Sequence, residues 1–448
     1  MLFMRVVNAR ILDECITMPE SFTFSAFNLH PGLLAALPAQ CQVPTAVQQQ
    51  TLPSIIEGQD VLALAPTGSG KTLAFGLGLL QRLTEQQEIA QTAAENKSDL
   101  ITAPYSRAHM RAIVIVPTRE LAAQISTVLG PLAQSVSLTL TTLCGGVDVE
   151  QQIAEFNERP AQVVIATPGR LLDLLRQKLI SLKAVQHLVL DEADRLLEMG
   201  FWPDIQKLMA AMPSLQQQLL FSATLPDELA TQLTQLAPNA HRFAVGSQNS
   251  VVEGVSQTCY LVNKGSKAQA LIKLLQEQLN QQQVLVFINA RDSADAVAKK
   301  LNKAGIQARA LHGEKDQTER EQALLAFKNG DIKVLVATDL LARGIDVTAL
   351  PVVVNLDLPP SAPVYVHRVG RTARAGLTGV AVSLVCHGEA GALAAIRELT
   401  GEALPLQALP GFPVTDQPAS DVRSKRPPRD KQANRRNANQ RRNKSVKG

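Results

Sequence analysis

Val61-Leu-Ala-Leu-Ala-Pro-Thr-Gly-Ser-Gly-Lys71-Thr-Leu-Ala-Phe-Gly-Leu-Gly-Leu-Leu80 decides the fold. Val61 to Ala65 is a short apolar run that predicts a buried strand. Thr67-Gly68-Ser69-Gly70 predicts a tight turn, and Lys71, Thr72 and the apolar residues after them predict a helix. A phosphate-binding loop needs that order of strand, glycine turn, Gly-Lys-Thr and helix. Gly68 and Gly70 let the backbone curl until successive N–H groups converge on one phosphate. The new helix adds the positive end of its dipole. In such a loop Lys71 can reach the β- and γ-phosphates of a nucleotide, and the Thr72 hydroxyl can ligate Mg2+. The loop starts with Ala65 where the general pattern has glycine. The plainer alternative is a tight turn with a surface lysine, but turn chemistry alone does not require Gly-Lys-Thr.

Further buried-strand runs follow: Ala112 to Pro117, Thr139 to Leu143, Val163 to Ala166, Leu188 to Leu190 and Leu219 to Phe221. Helical segments separate them, and this alternation predicts an α/β domain with a parallel sheet. In open α/β sheets ligands sit beyond the carboxyl ends of the strands. Asp191-Glu192-Ala193-Asp194 stands at such an end. Beside a P-loop, an acidic residue there holds magnesium, which assigns Asp191, and Glu192 is placed to polarise the attacking water. The alternative is an acidic helix cap that uses Asp194. Pro117-Thr118-Arg119, Gly145-Gly146 and Thr167-Pro-Gly-Arg170 put hydroxyl, N–H and guanidinium groups on the same rim. Taken singly each also reads as a cap or loop; together they suit a phosphodiester backbone held without base reading.

After the polar linker 246–257 a second strand–helix alternation runs over 258–402, with strands near residues 259–262, 284–288, 308–311, 334–337, 352–354 and 380–385. It has no P-loop, so ATP is expected in a cleft that the second domain completes. His367-Arg-Val-Gly-Arg371-Thr-Ala-Arg374 spaces two arginines one helical turn apart, so that both face one way. Guanidinium is permanently charged and suits a transferring phosphoryl group.

Totals narrow the class. Among 448 residues, 46% are hydrophobic and only 4% aromatic, which suits helix-covered parallel sheets. Cys15, Cys41, Cys144, Cys259 and Cys386 are scattered without a Cys-x-x-Cys pair, which argues against a disulfide framework or zinc site. No run approaches a membrane span, and Arg10, Asp13 and Glu14 interrupt any signal-peptide core, so a cytoplasmic protein without membrane contact is expected. Residues 1–21 form an extension without a motif, and Met18 is an alternative start to Met1. Eleven Lys or Arg against two Asp give 421–448 a net charge of +9, within an overall +4. The segment 403–448 is therefore expected to be a disordered basic tail that adds non-specific, salt-sensitive affinity for nucleic-acid phosphates.

Phe24-Ser-Ala-Phe27-Asn-Leu29, then Pro44-Thr45-Ala-Val-Gln48, the P-loop and Asp-Glu-Ala-Asp together resemble the DEAD-box ATP-dependent RNA helicases of superfamily 2. The resemblance covers roughly residues 22–400 and implies two tandem RecA-like domains, 22–245 and 258–402. It assigns Phe24, Gln48, Ala65, Thr67, Gly68, Ser69, Gly70, Lys71, Thr72, Gly344 and Asp346 to ATP, with Gln48 reading adenine. It makes Lys71, Asp191, Glu192, Arg371 and Arg374 catalytic, with Thr72 and Asp191 on Mg2+. RNA falls to Thr118, Arg119, Gly146, Thr167, Arg170, Gly313, Gln317, Arg320 and Thr338, and coupling to Asp194, Ser222, Thr224 and His367. Where relatives carry a Gly-aromatic pair that stacks on adenine, this chain has Gln40-Cys41, and Ala373 replaces a common glycine. Leu409-Pro-Gly-Phe412 looks somewhat like the bacterial RhlE-like subgroup. The implied activity is RNA-stimulated ATP hydrolysis that drives local unwinding of short duplexes or RNA–protein remodelling by a monomer. The rivals are an ATP-gated RNA clamp with slow turnover and a DNA-directed helicase of the same superfamily. Ribosome-assembly and RNA-decay proteins both remain open as partners.

Overall fold

The strand runs assemble into two seven-stranded sheets in a computed structural model. It describes residues 23–39, 41–66, 68–95, 110–245, 254–279, 282–339, 350–372 and 378–416. The first sheet contains β1 (Val61–Leu64), β2 (Ala112–Ile115), β3 (Leu140–Leu143), β4 (Val163–Ala166), β5 (His187–Leu190), β6 (Gln217–Ser222) and β7 (His241–Ala244). Their order is β3-β4-β2-β5-β6-β1-β7, and every pair is parallel.

The second sheet contains β8 (Val255–Leu261), β9 (Val284–Phe287), β10 (Ala308–Leu311), β11 (Val334–Ala337), β12 (Val352–Asn355), β13 (Gly379–Val385) and β14 (Leu406–Ala408). Its order, β10-β11-β9-β12-β13-β8-β14, repeats the first with seven added to each number. The expected pair of tandem RecA-like domains is present.

Both faces of the central strands are buried because side chains alternate between two cores. Ala63, Val114, Ile165 and Phe221 enter one core of the first sheet. Leu62, Ile113, Ala166 and Leu220 enter the other. Val284, Val336 and Val354 face one core of the second sheet, and Leu285, Phe287 and Val353 the other. Phe221 on β6 packs its ring 5.4 Å from that of Phe75, on the helix Lys71–Glu95 that follows the P-loop. Truncating such a ring to alanine costs roughly 3–5 kcal/mol, so this contact also anchors the helix that bears Lys71.

Three boundaries differ from expectation. β8 starts at Val255, inside the stretch read as linker. β7 and β14 have no counterpart among the predicted strands; both sit at a sheet edge with largely exposed side chains, so neither needs an apolar run. β14 also lies in the stretch assigned to the tail, and packed structure of the second domain continues through it. Leu404 and Leu409 are buried, and Asn263 bonds through its side chain to Pro413, Thr415 and Asp416. The extension 1–21 and the basic segment from 417 onward lie outside the described residues.

Candidate active site and nucleic-acid interface

Loops at the carboxyl ends of the first sheet build the site. β1 leads into the P-loop, and Ala65 N–H bonds to the Ser222 carbonyl at the end of β6. Lys71 opens the following helix, is buried, and donates from Nζ to the Ala65 carbonyl at 2.9 Å. Thr72 is half-buried beside it. Gly70 has φ +95°, and a Cβ there would lie 2.5 Å from Gln48 Nε2, so both backbone and space require glycine.

Gln48 is buried in the helix Ala46–Ile56 and joins two loops. Its Oε1 accepts from Thr45 N–H at 2.8 Å, and its Nε2 donates to the Gly70 carbonyl at 3.0 Å. The amide expected to read adenine is thus also a strut under the P-loop. Cys41 packs partly buried against the core at the position of the missing aromatic, and burial raises its thiol pKa. Phe24 corrects an expectation. With 3% of its surface accessible, packed against Phe27, it has no free face for a base and serves the core beneath the loop.

Asp191 follows β5 directly. Burial pushes its carboxyl up to about 6, while the neighbouring Lys71 ammonium pulls it down. The Asp191 carboxylate and the Thr72 hydroxyl are oxygen donors of the kind that a hard divalent cation takes. Glu192 comes next with φ 51° and ψ 52°. A non-glycine residue in that region is strained, which fits a side chain aimed by its surroundings.

Asp194 is the hub. Its Oδ2 accepts from Thr224 N–H at 3.1 Å and from the Thr224 hydroxyl at 2.8 Å. Its N–H donates to Ser222 Oγ at 3.2 Å, and that hydroxyl donates to the Thr224 carbonyl at 2.7 Å. His367 Nε2 approaches Asp194 Oδ2 from the second domain at 3.4 Å. The four residues that the resemblance assigns to coupling, Asp194, Ser222, Thr224 and His367, meet here.

The RNA rim divides. Gly146 has φ +77°, and the Arg119 guanidinium lies so close that a Cβ would collide with it. Thr118 Oγ1 caps the helix Arg119–Ser135 by accepting from Leu121 N–H, and Thr167 Oγ1 accepts from Gly145 N–H. Thr338 is buried and its N–H bonds to the Leu311 carbonyl, whereas Gly313 is exposed. Arg170 and Arg320, expected on RNA, meet groups of the protein. Arg170 is buried and donates to Gln152 Oε1 at 2.8 Å and to the Val147 carbonyl at 2.7 Å, which holds the Gly145-Gly146 loop. Arg320 pairs with Glu120 of the first domain at 2.9 Å, both side chains nearly buried.

Arg371 also differs from the helical expectation. The helix Ala362–Val369 ends before it, and Thr372 bridges to Leu350 as extended chain. The one-turn spacing argument therefore does not apply. Thr67, Gly344, Asp346 and Arg374 lie outside the described residues, and Gln317 is placed only as the start of the helix Gln317–Lys328. Sequence patterns missed Arg195 and Asp339, which meet across the domains, and Arg368, which holds Asp339; the available signal was that each adjoins a motif residue, Asp194, Thr338 and His367 in turn.

Comparison with known proteins agrees with this geometry. Residues 45–232 match the DEAD/DEAH box helicase family, and residues 266–376 match the helicase conserved C-terminal domain. The chain is 36% identical to the ATP-dependent rRNA helicase RRP3 of Candida albicans, over 88% of its own length and 70% of that protein. It is 35% identical to the DEAD-box ATP-dependent RNA helicase CshA of Bacillus subtilis, over 85% of this chain and 73% of that one. Fungal and bacterial relatives thus match equally well, and nothing singles out the RhlE-like subgroup. Among solved structures, Saccharomyces cerevisiae Dbp5 bound to RNA and ADP BeF3 superposes with a TM-score of 0.74 at 29% identity, covering 86% of this chain and 95% of that one. With both helicase domains matched and a relative at 36% identity over most of both chains, the chain belongs to the DEAD-box family of ATP-dependent RNA helicases.

Proposed function

We propose that this chain couples RNA-stimulated ATP hydrolysis to local separation of short RNA duplexes or to remodelling of RNA–protein complexes. The observation that carries this reading is the Asp194 hub. One carboxylate, next to the Asp191-Glu192 pair, bonds to Thr224 of its own domain and lies 3.4 Å from His367 of the other. Whatever draws the domains together thereby adjusts the catalytic loop.

ATP enters with its phosphates on the P-loop backbone and on Lys71, and Gln48 meets the adenine edge. Thr72 and Asp191 would hold Mg2+, which neutralises charge on the phosphates. Glu192 orients the attacking water and takes its proton. Arg371 and Arg374 stabilise the phosphoryl transition state from the second domain, and Gly344 and Asp346 complete the ATP site there. Single-stranded RNA lies across both rims through its backbone, near Arg119, Gly146, Thr167, Gly313 and Thr338, so little sequence preference is expected. The basic segment 417–448 adds phosphate affinity that falls steeply with salt. The protein works as a cytoplasmic monomer, and ribosome-assembly or RNA-decay factors are its natural partners.

Strand separation of a short RNA duplex, followed with ATP and with Glu192→Gln, tests the reading. ATP-dependent separation that the variant loses supports it. Binding of RNA gated by ATP, without separation, favours the clamp reading, for which Cys41 in place of a stacking ring is the supporting observation.

A further inference from the structure

The helix Ala193–Glu198 begins immediately after Glu192. The second domain grips it at two successive residues. His367 holds Asp194, as described. The second grip belongs to Arg195, which is buried and donates from Nη2 to the backbone carbonyl of Asp339 at 2.9 Å. Asp339 follows β11 and faces this helix across the domain cleft.

Arg368 fixes that carbonyl. Its side chain is fully buried, at 0% exposure. Its Nε and Nη2 meet the two oxygens of Asp339 at 2.6 and 2.7 Å, a bidentate pair. The remaining donors reach the Asp357 carbonyl at 2.6 Å, Asn355 Oδ1 at 3.2 Å and Asn289 Oδ1 at 2.8 Å. The guanidinium also lies 5.0 Å from the centre of the Phe287 ring. Arg368 is thus bound at once to β9, to β12 and to the segment that follows β11. It is the chain neighbour of His367, which makes the first grip, and the ion-pair partner of Asp339, which makes the second. One rigid arginine therefore sets the spacing of both.

We propose that Arg195 is a positioning residue of the helicase cycle: its bond to the Asp339 carbonyl, held in place by Arg368, reports domain closure to the helix that Glu192 immediately precedes. The proposal rests on the function given above and adds a second route of coupling to the Asp194 hub. A short helix held at one residue can pivot about it. Held at Asp194 and Arg195 together, it is fixed in both position and rotation, and so is the strained Glu192 before it. Lysine at position 195 keeps the charge and one donor, whereas alanine keeps neither.

The test uses the full chain with Arg195→Ala, Arg195→Lys and Arg368→Lys. Two quantities are read: RNA-stimulated ATP turnover against RNA concentration, and the closed fraction by energy transfer between dyes on the two domains. Arg195→Ala is expected to raise the KM for RNA, lower kcat, and lower the closed fraction, by roughly tenfold to a hundredfold in coupling. ADP affinity should move less than about twofold, a typical coupling loss being larger. Arg195→Lys should recover much of the loss, and Arg368→Lys should reproduce it with weaker closure. Turnover and closure of Arg195→Ala equal to the parent would overturn the proposal. So would a loss of ADP affinity as large as the loss in KM for RNA, since that marks damage confined to the first domain. If the parent itself shows no stimulation by RNA, the proposed function fails, while the closed fraction of Arg195→Ala still decides the role of Arg195.

Discussion

The two sheets share one strand order, yet only one of them builds a nucleotide site. In the first, β1 leads to a helix whose first residue is Lys71; in the second, the topologically equivalent β8 leads to a helix whose first residue is Lys267. Each lysine is buried, and each donates to a backbone carbonyl, Ala65 at 2.9 Å and Leu356 at 2.8 Å. They differ in what else they meet. Lys267 pairs with Glu389 at 2.7 Å and with Asp357 at 3.4 Å. Glu389 also accepts N–H groups from Leu358 at 3.0 Å and Cys386 at 2.9 Å. A carboxylate of the protein itself thus takes the position, between a lysine and backbone amides, that a phosphate oxygen takes at a P-loop. The same topology offers an anion cradle twice. Neutralising one from within makes it part of the fold, and leaving the other to glycine-lined backbone makes it a site.

The first way to break this comparison is to remove each lysine. Lys71→Ala should lower ATP turnover at least about a hundredfold, the scale for losing a group that stabilises transition-state charge. Its thermal unfolding should stay close to that of the parent. Lys267→Met should do the reverse. It leaves the Glu389 carboxylate half-buried without its partner, which costs roughly 3 kcal/mol by the measure of a broken buried pair. Urea unfolding should show the loss in the second domain, with nucleotide affinity little changed. Equal effects of the two substitutions on stability would remove the distinction.

Acid sharpens the comparison further. β5 opens with His187, fully buried against Gln217, whereas its counterpart β12 opens with Val352. Burial lowers the His187 pKa from 6.5 to about 4. The folded first domain therefore resists protonation that the unfolded chain accepts. This contribution is complete above pH 6.5 and drains away as pH falls toward 4, by up to about 3 kcal/mol at roughly 1.4 kcal/mol per pH unit. The first domain should lose stability over that window, and His187→Gln should flatten the loss. The second domain, with valine in the same position, should show no matching loss from this strand.

Much of this was legible from the chain, for reasons that also explain what was not. Central strands such as Val163-Val-Ile-Ala166 are buried on both faces, so they must be continuous apolar runs. β14, Leu406-Gln-Ala408, is an edge strand with exposed side chains, and its order comes from Asn263 and the packing of Leu404 and Leu409, contacts from distant parts of the chain. Motif positions were readable because a P-loop constrains residue types one by one. The partners of Arg170, Arg195 and Arg320 were not. An arginine next to a motif looks the same in sequence whether it faces RNA, as expected for Arg320, or a carboxylate of the other domain, as found with Glu120. Only the approach of the domains decides between the two.

The most direct test of the account is ATP hydrolysis by the purified chain at fixed low salt, with no nucleic acid, with structured RNA and with DNA, alongside Glu192→Gln. Strong stimulation by RNA and little by DNA, abolished in the variant, is the predicted result. Turnover unmoved by RNA would contradict the claim that RNA-driven closure onto Asp194 and Arg195 assembles the catalytic loop.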